Sequence, residues 1–155
     1  MVMEVIQLLS KTNGGFLISK IKQIQGRVFE KLLAANGIDQ FNGAQGRILF
    51  ILWDDDNIPI SVLSAKTGLA KTTLTSMLDR LESSGHIQRI FDPADRRRVN
   101  IALTPYARAL QAHYDEVSSC MSDIFYDGFA DEEILAFEGY LSRVLENLTK
   151  REKNK

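Results

Sequence analysis

Cysteine is almost missing from this chain of 155 residues: Cys120 stands alone, so no internal disulfide can form and stability must come from a packed core. Histidine is nearly as scarce. His86 and His113 lie far apart with no second cysteine, and no familiar zinc spacing can be written with them, so no metal site is expected. Proline occurs three times (Pro59, Pro93 and Pro105), each where the chain looks punctuated, which leaves long stretches free for helix. No apolar run approaches the roughly 18 to 20 residues of a membrane span, so no membrane partner is expected. Met1 to Ser10 contains Glu4 and lacks a basic segment followed by a small-residue cleavage site, which predicts no secretory leader and a cytoplasmic location. Also missing are a Gly-rich phosphate loop, a His-bearing nucleophile arrangement and paired carboxylates on one helical face beside a base. These gaps point away from an enzyme and from a cofactor.

What is present is a globular mixture, 45% hydrophobic and 25% charged, enough for one domain with a single core. Lys plus Arg is 19 against 20 Asp plus Glu, so distribution rather than net charge must speak about nucleic acid. From Phe16, Leu17, Ile21, Ile24, Val28 and Leu32 recur at helical spacing until Asn36-Gly37. Asn42-x-x-Gln45 resembles a capping box and predicts a second helix through Ile48, Leu49, Ile51 and Leu52 to Trp53. The acidic turn Asp54-Asp55-Asp56-Asn57 reads as a solvated loop, because consecutive turn residues point in different directions. After Leu103, Thr104-Pro105 reads as an N-cap with proline at the first helical position. That helix runs through Ala107, Leu110, Tyr114, Val117, Met121 and Ile124 to Phe125. Asp127-Gly128 breaks it, and a last helix starts among Asp131, Glu132 and Glu133 and carries Ile134, Phe137, Leu141, Val144 and Leu148, before a basic frayed tail from Lys150. Long helices on a short chain cannot easily bury these stripes alone, so a homodimer is expected.

Between Ile58 and Leu103 the pattern becomes compact. Ile60, Val62, Leu63 and Ala65 predict a short helix ending at Thr67-Gly68, with Leu69 turning back to the core. A helix from Lys71 to Ser84 has Leu74, Met77, Leu78 and Leu81 on one face. Its first turns are crowded with Lys71, Thr72, Thr73, Thr75 and Ser76, short donors and acceptors of the size a major groove admits. His86 to Ile90 and Val99 to Leu103 alternate like strands, joined through Asp92-Pro93-Ala94-Asp95 and Arg96-Arg97-Arg98. This is a hairpin wing tipped by arginines, residues able to enter a minor groove. From Lys66 to Arg98 seven Lys or Arg stand against four Asp or Glu, a local excess of three positive charges in a chain of net charge −1. Arg80 belongs to the same basic surface.

The runs Leu69 to Thr75, Leu78 to Gly85, Asp92 to Arg97 and Leu103-Thr104-Pro105 resemble the MarR family of regulators. Asp95-x-Arg97 with the downstream Leu-Thr is the most specific part, and the flanking helices agree with the family in number and order. The resemblance implies a mainly α protein, a winged helix-turn-helix with a small two-stranded β wing, flanked by N- and C-terminal dimerisation helices. Residues 14–53 and 104–150 would supply those helices and 58–103 the DNA-binding lobe. It further implies that Lys71 to Ser76 face the major groove of double-stranded DNA and that Arg97 enters the minor groove. Arg96 and Arg98 would flank phosphates, and Asp95 would orient an arginine. A small-molecule effector would release a repressor from a pseudo-palindromic operator. The chain departs from the family where many relatives carry a basic residue at the position of Ser76 and proline at that of Gly43. Two other functions stay open at this level: a regulator that switches by oxidation of Cys120, and a winged-helix module that binds protein.

Overall fold

The computed structural model describes residues 12–38 and 43–154. Expectations about a leader in residues 1–10 and about Asn42 as a helix cap therefore lie outside the described residues. Helix α1 (Gly14–Ala35) starts two residues before Phe16, with the Gly14-Gly15 pair inside its first turn. It ends as expected: Gly37 takes φ +76°, and the Ile38 amide donates to the Leu33 carbonyl at 2.8 Å. Helix α2 (Gly43–Asp54) buries Ile48, Leu49 and Leu52.

The compact middle contains β1 (Ile58–Pro59), α3 (Ile60–Thr67), α4 (Lys71–Ser83), β2 (Ile87–Phe91) and β3 (Val99–Leu103). The two expected strands pair antiparallel, from Ile87 opposite Leu103 to Phe91 opposite Val99. The sheet nevertheless has three strands in the order β1-β3-β2, not two. In β1, Ile58 faces Ile101 and Pro59 faces Asn100. Two residues, one of them proline without an N–H to give, carry no alternation that a sequence could display.

The helix expected from Pro105 to Phe125 divides at Leu110 into α5 (Pro105–Ala109) and α6 (Gln111–Phe125). Its N-cap is as read, with the Thr104 hydroxyl accepting from the Ala107 amide at 3.2 Å. The break has a local cause. The Ala107 carbonyl accepts from the Leu110 amide at 3.2 Å and from the Trp53 indole N–H at 3.0 Å, so a tightened turn and a distant side chain take the place of the next helical bond.

One core joins these pieces: Leu33 and Ile38, Leu49 and Leu52 from α2, Leu63 from α3, Leu74, Leu78 and Leu81 from α4, Ile87 and Ile101 from the sheet, and Tyr114 and Val117 from α6. Each leucine buried here contributes roughly 1.5–3 kcal/mol. The chain divides into two compact units, Met1–Ser118 and Ser119–Lys155, and this core belongs to the first. In the second, α7 (Asp131–Lys153) starts where the acidic triplet places it, with Glu133 accepting from the Ala130 amide at 3.0 Å. Its basic end stays helical as far as Lys153 and is not a frayed tail from Lys150, since cations suit the negative end of a helix. The α7 stripe is only partly covered: Ile134, Phe137 and Leu141 are half-buried, while Val144 and Leu148 are exposed. On α1, Leu17, Ile21 and Ile24 are likewise exposed. Among the described residues no helix is long and apolar enough to cross a membrane.

Candidate nucleic-acid interface

Helix α4 is set by the turn before it. Gly68 takes the left-handed conformation at φ +70°, which glycine adopts without a Cβ penalty. The Thr67 hydroxyl donates to the Leu63 carbonyl at 2.8 Å and accepts from the Leu69 amide at 3.3 Å, while Ser64 donates to the Leu69 carbonyl at 3.1 Å. Leu69 packs against the core, as its pattern predicts. With Leu74, Leu78 and Leu81 buried, α4 turns Lys71, Thr72, Thr73, Thr75, Ser76 and Arg80 outward, and all six are exposed. No side chain caps the first turn, where Ala70 occupies the N-cap, so its amides are open and its positive end faces out. Thr75 differs from its neighbours, because its hydroxyl donates to the Lys71 carbonyl at 2.8 Å. It keeps acceptor lone pairs and a methyl group for a partner but has already used its proton.

The wing tip is built by two aspartates. Asp92 Oδ1 accepts from the Ala94 amide at 2.8 Å, and the Asp92 amide closes the loop on the Arg98 carbonyl at 3.1 Å. Asp95 Oδ1 accepts from the Arg97 amide at 3.0 Å, and its carbonyl accepts from the Arg98 amide at 3.0 Å. The same carboxylate oxygen lies 3.4 Å from Arg97 Nε, although the Arg97 side chain is 93% exposed. Arg96 and Arg98 are exposed beside it. Among the described residues none of Lys71, Arg80, Arg96 and Arg98 forms an ion pair. A tip braced by its own backbone bonds and bearing uncommitted cations can meet phosphate without first breaking internal pairs.

Arg89 and Lys66 counted toward the basic excess, and both are committed elsewhere. Arg89 reaches Asp79 and Glu82 on α4 at 2.7 and 2.8 Å. Lys66 reaches Asp55 at 3.1 Å. The acidic turn is therefore more than a solvated loop. Half-buried Asp56 accepts from the amides of Asn57 and Leu103, both at 2.8 Å, and pairs with Arg108. It ties the turn after α2 to the end of β3 and to α5. Nothing in the sequence around Asp56 signals these ties, since Leu103 and Arg108 lie some fifty positions away.

His86 is fully buried at the base of the wing and precedes β2 instead of starting it. Its Nδ1 shares a 2.7 Å hydrogen bond with the Ser84 hydroxyl, its ring lies 5.2 Å from that of Tyr106, and burial lowers its pKa. Tyr114 packs against Phe29 and Trp53, and burial raises its pKa to about 12, opposed by a Ser118 hydrogen bond and by Arg47. His113 is exposed on α6, and Cys120 is an exposed free thiol on the same helix.

This geometry agrees with known proteins. The sequence pattern of the MarR family matches residues 41–99, which takes in the turn, α4 and the wing to the start of β3. The uncharacterized HTH-type transcriptional regulator YsmB of Bacillus subtilis (strain 168) is 34% identical over 101 residues, covering 64% of this chain and 68% of its own length. The chain belongs to the MarR family. The likeness carried by Leu69 to Thr75, Leu78 to Gly85 and the Asp95-x-Arg97 wing, all inside the matched residues, is thus a family relationship. Another relative, the HTH-type transcriptional regulator TtmR of Methylorubrum extorquens (strain PA1), is 34% identical over 90 residues, 58% of this chain. The chain spans 45% of the length of that regulator. Among solved structures, a cysteine-to-serine mutant of MarR from E. coli in complex with operator DNA superposes with a TM-score of 0.76. It is 26% identical and covers 84% of this chain and 92% of the other.

Proposed function

We propose that this MarR-family chain is a transcription regulator of the cytoplasm that acts without catalysis. In this reading it binds a pseudo-palindromic operator in double-stranded DNA as a homodimer and represses until a small molecule releases it. The observation that carries the reading is the outward surface of α4 and the wing: short hydroxyls and Lys71 at an uncapped helix start, with Arg96, Arg97 and Arg98 on a braced tip. Lys71, Thr72, Thr73, Thr75 and Ser76 meet the major groove, Arg80 and the flanking Arg96 and Arg98 meet phosphates, and Arg97 enters the minor groove with Asp95 setting its turn. The exposed stripes of α1 and α7 supply the area for a second copy, and the relatives' names and the operator complex of E. coli MarR support the assignment.

A cleft of about 370 Å³ in the first unit suits the effector. Lys22 and Arg47 stand there against a single carboxylate, Glu30, with the rings of Phe29, Phe50 and Tyr114, a lining of net positive charge that suits a small aromatic anion. Release then follows from tighter binding of that anion to the form that does not hold DNA. The test is fluorescence anisotropy with a duplex selected from a random pool, read across salt. Specific binding that weakens steeply with salt, together with a loss of about 1–3 kcal/mol in Arg97→Ala, is the expected result. Salt-independent binding, or an unchanged Arg97→Ala, overturns it.

A further inference from the structure

We propose that Arg89 is a positioning residue that locks the wing onto α4, so that the two DNA-reading elements meet the duplex as one unit; this rests on the DNA-binding reading above. Arg89 lies in β2, yet its side chain is only 16% exposed. Its guanidinium forks between two carboxylates three positions apart on α4, with Nη2 at 2.7 Å from Asp79 Oδ1 and Nη1 at 2.8 Å from Glu82 Oε1. The Arg89 amide also donates to Glu82 Oε2 at 3.1 Å, so both oxygens of Glu82 are used on one residue. Three charge-assisted bonds between one strand and one helix fix both a distance and an angle.

The charges suit a lock better than a DNA contact. Two carboxylates around one guanidinium leave a negative surplus beside a face that must approach phosphate, which opposes binding. Their gain is geometric. The tip lies about 10 Å beyond Arg89 at the strand rise of 3.4 Å per residue, so a pivot of about 10° at this point swings it by nearly 2 Å. That exceeds the tolerance of a hydrogen bond.

The decisive variant is Glu82→Gln, which can still accept from the Arg89 amide and fold. On the duplex selected by the unmodified protein, a lock predicts that Glu82→Gln binds roughly tenfold more weakly, although it removes a negative charge from the interface. Arg89→Met should behave alike, and in its background Arg97→Ala should add less than about a twofold loss, since the wing is already misplaced. Were Arg89 a direct DNA contact or only a stabiliser, Glu82→Gln would bind as tightly or more tightly, and the Arg97→Ala loss would persist. Either result overturns the lock. Amide hydrogen exchange on the free protein supplies an independent reading: exchange at 87–91 should quicken roughly tenfold in both variants while the α2 core amides hold. Unchanged exchange there overturns the lock too. Failure of the unmodified protein to bind any selected duplex would instead sink the DNA-binding reading, leaving the lock to be judged by exchange.

Discussion

Asp95 can hold Arg97 in either of two ways, and replacing it tells them apart. As a charge, its carboxylate attracts the guanidinium at 3.4 Å, but Arg97 is 93% exposed, so solvent screening leaves that pair below about 0.5–1 kcal/mol. As a turn-former, it accepts from the Arg97 amide at 3.0 Å, a local bond of about 1 kcal/mol that shapes the tip. Asp95→Asn preserves the acceptor and removes the charge, while Asp95→Ala removes both. Since deleting a negative charge near phosphate aids binding, Asp95→Asn should bind operator as tightly as the unmodified protein or up to about twofold more tightly. Asp95→Ala should lose close to 1 kcal/mol, about fivefold in Kd. Anisotropy titrations at one fixed salt concentration measure both, with chemical denaturation confirming that the variants are folded. An Asp95→Asn as weak as Asp95→Ala would show that the ion pair, not the turn, places Arg97.

Other consequences concern stability. Asp56→Ala should cost about 2–4 kcal/mol in urea unfolding, most of it from the half-buried Leu103 amide left without an acceptor, with Asp56→Asn recovering much of the loss. Gly68→Ala meets no atom within 4 Å, so only the strain of φ +70° should appear, about 1–2 kcal/mol. Tyr114 keeps its proton to about 12 in the folded state but loses it near 10 when unfolded, so its neutral form stabilises the fold fully below pH 10. Stability should then fall between pH 10 and 12 by somewhat more than 2 kcal/mol, and Tyr114→Phe should remove that part of the slope.

The features legible in the sequence are those whose causes are local. Gly37, Gly68 and Thr104-Pro105 end or start helices through bonds to residues within five positions, so their patterns could be read directly. The wing hairpin declares itself because alternation and turn residues are neighbours, and its exposed arginines sit where the turn places them. The missed features are tertiary. Pro59 joins the sheet only because β3 passes beside it. Arg89 looks like any basic residue until α4 supplies Asp79 and Glu82, and His86 is buried with its ring beside that of Tyr106, twenty positions later. The split of the long helix at Leu110 depends on Trp53, more than fifty residues earlier.

The central claim is that α4 and the wing read DNA from a symmetric pair of chains, and selection of bound duplexes from a random pool tests it most directly. The account predicts an enriched inverted repeat whose half-sites are centred about one helical turn apart, roughly 10–10.5 base pairs, and whose preferred bases change with Thr72→Ala or Ser76→Ala. An unenriched pool, or a single half-site bound by one copy of the chain, would contradict it.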